Sequence, residues 1–485
     1  MRLSARLSAA AGVALLAAAA ACATNPATGQ RQINFMSEAQ EIQVGQQNDP
    51  EIRKEMGVYD DRALIEYVTS VGAKMAALSE RPNLPWHFTV VDQPAINAFA
   101  VPGGYIYFTR GILPFLNNEA EMAGVMGHEI GHITARHSAQ QYTRSMEANI
   151  GLTALSIFVP QARPFGDLGS QALGVMFLKY GRDDESQADQ LGVRYTSRAG
   201  WDPGGIASML NTLARLDEAS GQRRGVPNWL STHPASADRV VAVQGAIQQA
   251  KAGGETFTTN RDEFLRHIDG IIYGDNPEQG IARGSTFLHP SLRFRLDFPD
   301  GWEIENSPQQ VVAKLPGTED AIMLLELVEQ PNGRTIDEVA VNQMRAAGFR
   351  QLSGAKESLN GDDAYVGTYQ GNMQPFGAVT MRAAHIGHGT SYYLLAGIAK
   401  QNVFQQNEAA FLKAIRSFRP LSASEAEGIR PNTVDIYVVR TGDTWQSIAQ
   451  KSGGVIRAST LAIMNDYEPS SVPRVGERIK IVVGG

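Results

Sequence analysis

The string Ala123-Gly124-Val125-Met126-Gly127-His128-Glu129-Ile130-Gly131-His132-Ile133 sets two imidazoles four residues apart, with a glutamate between them. On a helix, His128 and His132 stand one turn apart on one face, so both rings can reach a single tetrahedral zinc ion. Glu129 is turned aside from that axis and can act as general base on metal-bound water instead of filling a coordination position. A catalytic zinc needs another protein donor, and Tyr180-Gly181-Arg182-Asp183-Asp184-Glu185-Ser186-Gln187-Ala188-Asp189 supplies acidic residues at helical spacing. Glu185 is the preferred third ligand. Asp189, one turn further along that face, is placed to accept the remaining ring N–H of His128 and fix its tautomer. The chemistry this predicts is hydrolysis without a covalent intermediate: zinc polarises a carbonyl and acidifies its water, and Glu129 passes the proton to the leaving amine.

These side chains need rigid supports. Met122, Val125 and Met126 would bury the rest of the motif helix. His137 follows His132 by five places and points elsewhere, which predicts a structural or surface role, and Arg136 is expected to pair with a carboxylate. From Glu38 to about Ala250 the pattern is mainly helical, with apolar residues at Leu64, Val68, Val71, Met75 and Leu78. One β-rich interval interrupts it, Trp86 to Asp92 and Ile96 to Thr109, with Pro102-Gly103-Gly104 as its turn. The apolar, Gly-rich interval Asn149 to Met176 reads as core packing, with a lid or membrane-facing loop as the alternative.

The pair of metal motifs resembles the HtpX and CAAX-prenyl-protease family of gluzincin metallopeptidases, especially its soluble, BepA-like periplasmic members. The likeness extends to Asn25-Pro26-Ala27-Thr28-Gly29, Glu38 to Gln46, Asn97-Ala98-Phe99-Ala100, Pro102-Gly103-Gly104 and Arg182 to Gly192. It implies a mainly α zincin-type protease domain with a small β-sheet, and one zinc ion bound by His128, His132 and Glu185. It also implies that the strand from Asn97 through Ala98, Phe99 and Ala100 to Val101 is an edge along which an extended polypeptide lies. His233, in Ser231-Thr232-His233-Pro234, is similar to the family's His-Pro motif. The resemblance implies that it approaches the zinc, either as an inhibitory ligand in the water position or as a catalytic group.

The 485 residues exceed one ordinary core, which predicts several domains. With 43 basic and 50 acidic residues the net charge of −7 gives no broad reason to bind nucleic acid. Arg2 and Arg6 precede an apolar run from Leu7 to Ala21, the pattern of a secretory signal over 1–21. Cys22, the sole cysteine, follows it as in a bacterial lipobox, so a lipid on Cys22 and an outer-membrane address facing the periplasm are expected, with ordinary A-x-A cleavage as the alternative.

The protease domain is expected over 22–265 and a linker over 266–284. An α+β sheet-and-helix domain follows over 285–420, whose phrases Phe298-Pro299-Asp300-Gly301-Trp302 and Ala414-Ile415-Arg416-Ser417-Phe418 resemble the PsbP and Mog family. His385 and His388 in it lack nearby acidic or sulfur ligands, so no metal is expected there. After a linker over 421–434, residues 435–485 resemble a LysM module of βααβ form, from Tyr437-Val438-Val439-Arg440-Thr441-Gly442-Asp443-Thr444-Trp445 to Val475-Gly476-Glu477-Arg478-Ile479-Lys480-Ile481. That likeness implies peptidoglycan as a partner. The expected function is zinc-dependent endopeptidase action on extended or misfolded envelope proteins. The rivals are a non-catalytic chaperone or wall-anchored binding protein, and a peptidoglycan hydrolase.

Overall fold

The computed structural model describes residues 22–29, 31–33, 36–141, 180–220, 229–234, 237–329 and 331–485. The expected signal segment 1–21 and the apolar interval 149–176 lie outside the described residues. No helix among the described residues is long and apolar enough to cross a membrane.

The first unit begins with α1 (Glu38–Met56), whose N-terminus is closed by a capping box between Ser37 and Gln40. Asp61 caps α2 (Arg62–Ala77), which buries Leu64, Val68, Val71 and Met75. The expected stripe stops there, because Leu78 lies beyond the last helical residue and is 40% exposed. Next come β1 (His87–Val91), β2 (Ala98–Val101) and β3 (Tyr105–Thr109), in the order β1-β3-β2, so β2 is an edge. β1 and β3 run parallel, and β2 and β3 form a hairpin across Pro102-Gly103-Gly104. Gly103 holds φ 91°, and a Cβ there would lie 2.7 Å from the Glu41 carbonyl oxygen, so only glycine fits between hairpin and α1.

Among the described residues five further helices follow: α3 (Glu119–Thr134), α4 (Arg182–Arg198), α5 (Gly205–Ser220), the short α6 (Trp229–Thr232) and α7 (Ala237–Lys251), with α8 (Arg261–Ile268) leading out. The end of α3 is tied to the start of the chain. Asn25 Nδ2 donates to the Ala135 carbonyl at 3.1 Å, and buried Arg81 bridges the Ile133 carbonyl and Glu41. Arg136, at φ 61°, also pairs with Glu41.

The second unit is a seven-stranded antiparallel sheet, in sheet order Glu303–Asn306, Gln310–Lys314, Ala321–Leu327, Ser391–Lys400, Gly377–His388, Asp362–Met373 and Arg350–Leu359. Alternation lets it bury both faces. Helix Ile336–Ala346 seats Val339 and Met344 on the side of Ile322, Leu324 and Ile398. Helix Phe404–Ser417 seats Phe411 and Ile415 on the side of Met323, Leu325 and Leu395. His385 hydrogen-bonds Gln343 and His388 pairs with Asp362, which are structural contacts.

The terminal module is βααβ: strands Asn432–Val438 and Arg478–Val483 pair antiparallel around helices Trp445–Lys451 and Ala458–Met464. The stretches expected as linkers are folded. Within 266–284, Ile272–Tyr273 adds a third strand to the module's sheet and Ile281–Arg283 joins a four-stranded sheet. Within 421–434, Ala423–Glu427 is a helix closed by a capping box at Ser422. Glycine-rich composition suggested loose chain, but segments of two or three residues carry no periodicity to reveal pairing.

The module therefore shares a hydrophobic core with the first unit, with Val434, Trp445, Leu461 and Ile479 in the same cluster as Leu116, Met122 and Phe264. Lys480 is fully buried at this seam, donating to the Leu116 carbonyl and, at 3.0 Å, to Asn117 Oδ1. Burial pushes its ammonium well below the ordinary range, opposed by Glu121. Arg261 donates to both the Asn117 and Arg478 carbonyls. Lys480→Ala leaves two buried acceptors without this donor and should lower stability by about 2–3 kcal/mol, whereas the exposed Lys413→Ala should stay within about 0.5 kcal/mol. Urea unfolding of the full chain followed by tryptophan fluorescence checks both.

Candidate metal centre

Every residue of α3 is buried, and Asn118 caps it by accepting from the Glu121 amide at 3.0 Å. Three glycines on this helix let its neighbours come unusually near. A Cβ on Gly124 would lie 2.7 Å from the Ile206 amide nitrogen, one on Gly127 3.0 Å from Gly192 Cα, and one on Gly131 2.9 Å from the Ala188 carbonyl oxygen. Gly192 on α4 reciprocates, its Cβ position lying 2.9 Å from the His128 nitrogen. Backbone-to-backbone packing of α3 on α4 brings the acidic face of α4 onto the histidine face of α3.

His128 Nε2 and His132 Nε2 are 3.0 Å apart. Glu185 stands beside both, with Oε2 3.6 Å from His128 Nε2 and Oε1 3.5 Å from His132 Nε2. His233 joins them: its Nδ1 is 3.2 Å from His128 Nε2 and 2.8 Å from Glu185 Oε1. A tetrahedral ion with ligand distances of about 2.0–2.2 Å holds its donors about 3.3–3.6 Å apart, and these four groups, all within 4.8 Å of one another, converge closely enough to share one ion. Among the described residues this is the one group of histidine, cysteine and acidic side chains with such convergence.

The surrounding shell fixes which nitrogen faces inward. His128 Nδ1 lies 2.8 Å from Asp189 Oδ1, leaving Nε2 for the centre. His132 Nδ1 lies 2.9 Å from His137 Nδ1, and His137 Nε2 is 3.0 Å from Gln187 Oε1. Tyr180 stacks on His132 with ring centroids 3.9 Å apart. Burial, followed by the neighbouring His128, holds His132 well below its ordinary value, so the ring is neutral with a lone pair free. Burial alone would raise Asp189, but Arg239 and His128 hold it below its usual range. Arg239 Nη1 reaches Glu185 Oε2 at 2.7 Å and Nη2 reaches Asp189 Oδ1 at 2.8 Å, so one buried guanidinium serves both carboxylates.

Glu129 lies on the other side of the histidines. Its Oε1 accepts from Trp229 Nε1 at 3.1 Å and is 3.6 Å from His233 Nε2, while its buried Oε2 makes no hydrogen bond. Burial raises this carboxyl, with His233 and His128 pulling the other way.

Asn97, Ala98, Phe99 and Ala100, expected as an open edge, are all buried here. β2 is the sheet's edge, but the Ile96 carbonyl just before it is taken by the Trp229 amide at 2.7 Å. That amide belongs to the segment that carries His233.

The sequence reading gave no role to three residues of this shell. Trp229 precedes His233 by four places and stacks on it at 4.5 Å, a helical-turn spacing that could have flagged the pair. Arg239, five residues beyond the His233-Pro234 pair, was given no role. Tyr180 precedes α4 and has no periodic signal. His137 has the structural role expected of it, but on the ring of His132 instead of at the surface.

Asp189→Asn keeps the volume but weakens the acceptor that orients His128. Affinity for a divalent metal, measured by competition with a chelating dye, should fall by about 10–100-fold.

The sequence pattern of Peptidase family M48 matches residues 63–247, and that of the LysM domain matches residues 437–482. The mitochondrial metalloendopeptidase OMA1 of Schizosaccharomyces pombe is 31% identical over 240 residues, covering 48% of this chain and 68% of that protein. The beta-barrel assembly-enhancing protease of Escherichia coli K12 is 29% identical over 238 residues, covering 47% of this chain and 48% of its own length. The chain thus spans about half the length of the E. coli relative. The solution structure of cyanobacterial PsbP from Synechocystis sp. PCC 6803 covers 30% of this chain and 98% of its own, at 12% identity and a TM-score of 0.23, and carries no functional conclusion. The helix with His128 and His132 and the carboxylate of Glu185 both fall inside the matched span, and the chain belongs to Peptidase family M48, metalloproteases built on a divalent metal, with a LysM domain beyond the protease part.

Proposed function

We propose that this chain is a zinc-dependent endopeptidase of the bacterial cell envelope that cuts extended or misfolded polypeptides. The observation that carries the reading is the convergence of His128, His132, Glu185 and His233 closely enough to share one ion, with Glu129 alongside. Nitrogen and oxygen donors in a closed tetrahedron suit zinc. His128, His132 and Glu185 would hold the ion, and Asp189 would orient His128. When bound, zinc supplies Lewis acidity to the scissile carbonyl and to its attacking water.

The chain's own part is proton handling and positioning. Glu129 Oε2 is the free oxygen for the water proton, and a carboxyl raised by burial is suited both to take that proton and to return it to the departing amine. His233 in the fourth position keeps the enzyme latent. The segment 229–234 engages three groups together: the fourth corner through His233, Glu129 through Trp229 Nε1, and the Ile96 carbonyl through the Trp229 amide. Its displacement would free the corner, the base and the carbonyl that leads into the strand from Asn97 to Ala100 in one motion. An extended segment could then add to that strand by main-chain pairing, which favours unfolded substrates with little side-chain selectivity. In the same reading, a lipid on Cys22 anchors the chain to the outer membrane on the periplasmic side, and the LysM domain binds peptidoglycan.

Glu129→Gln should retain metal and lose about 10²–10⁴-fold in cleavage of an unfolded outer-membrane protein. Equal activity in wild type and variant would overturn the reading, and muropeptides released from purified cell wall would redirect it to peptidoglycan hydrolysis. In the same assay His233→Ala should raise the basal rate. A lost rate with metal retained would make His233 a transition-state group instead.

A further inference from the structure

A cleft of about 630 Å³ opens along the seam between the LysM domain and the protease unit, within the size range of small-molecule sites. Elsewhere this seam is closed by shared apolar packing and by Lys480. Its floor is the start of α3, where Glu121 is buried and accepts from Ser208 Oγ at 2.7 Å and from the Asn117 amide at 2.8 Å. Its other wall is the loop between the module's second helix and its last strand, including Tyr467 and Glu468. Arg215 on α5 pairs with Glu468 at 3.3 Å and with Asp466, so the loop is pinned against the protease unit.

The lining chemistry selects the ligand. Five carboxylates and two guanidiniums face the cleft, which disfavours phosphates and other anions. Carboxylates, side-chain amides and hydroxyls accept from and donate to neutral hydroxyl and amide groups. Tyr467 adds an aromatic surface, its ring 5.0 Å from Trp445. A neutral polyhydroxylated ligand bearing amide groups meets these demands.

We propose that the cleft is a composite saccharide site, shared by the LysM domain and the protease unit, for an oligomer of N-acetylated sugars. The proposal rests on the reading of the LysM domain as a glycan binder and adds that the protease unit supplies half of the site. The bound sugar would then contact the cap of the helix whose far end carries His128 and His132.

The test is calorimetric titration of the full-length protein with the tetramer of N-acetylglucosamine. Wild type should bind, and Tyr467→Ala on the module wall should weaken binding about tenfold or more. Thr259→Trp, which fills the cleft from an exposed position on the protease wall, should do the same with an unchanged melting temperature. Loss in Tyr467→Ala with wild-type affinity in Thr259→Trp would overturn the composite site and leave glycan binding to the module alone. No binding by wild type would overturn both.

Discussion

Three carboxylates withdrawn from water within one site need a fixed cation among them, and Arg239 is that cation. Glu129, Glu185 and Asp189 are each nearly or fully buried, and desolvating an ion costs several kcal/mol unless it is paired with good geometry. Arg239 spans Glu185 and Asp189, and its third link, to the His233 carbonyl at 3.0 Å, ties the pair to the segment that covers the site. Glu129 receives no such link, and its carboxyl is the one of the three that ends above its ordinary value. One guanidinium thus divides the acids into two held below their ordinary range and one left raised by burial.

That arrangement can form because α3 and α4 touch through glycine. Replacing any of Gly127, Gly131 or Gly192 by a larger residue would push backbones apart by a fraction of an ångström or more. Such a shift would be felt at the donors, which all lie within 4.8 Å of one another. The metal geometry is therefore set by helix packing before any ligand chemistry begins.

Much of this was legible in the sequence for identifiable reasons. His128, Glu129 and His132 are read from spacing on one helix, and Glu185 and Asp189 from one turn on another. The βααβ order of the terminal module and the Pro102-Gly103-Gly104 hairpin carry strong local signals. What the sequence hid was contact across long separations. Trp229 to Glu129 and Arg239 to Asp189 join residues 100 and 50 places apart. The strand Ile272–Tyr273 is too short to show alternation and exists because the module offers it an edge. The open edge expected at Asn97–Ala100 follows from local pattern, while the Trp229 amide that takes the Ile96 carbonyl arrives from more than 120 residues later.

The fully buried Lys480 fixes the terminal module to the protease unit. A wall-binding domain on a flexible tether would let a protease sweep a volume and collect targets at high effective concentration. Here the active centre is mounted at a set distance and angle from whatever the module grips. Polypeptides must be delivered to it, and its working radius is that of the folded body itself.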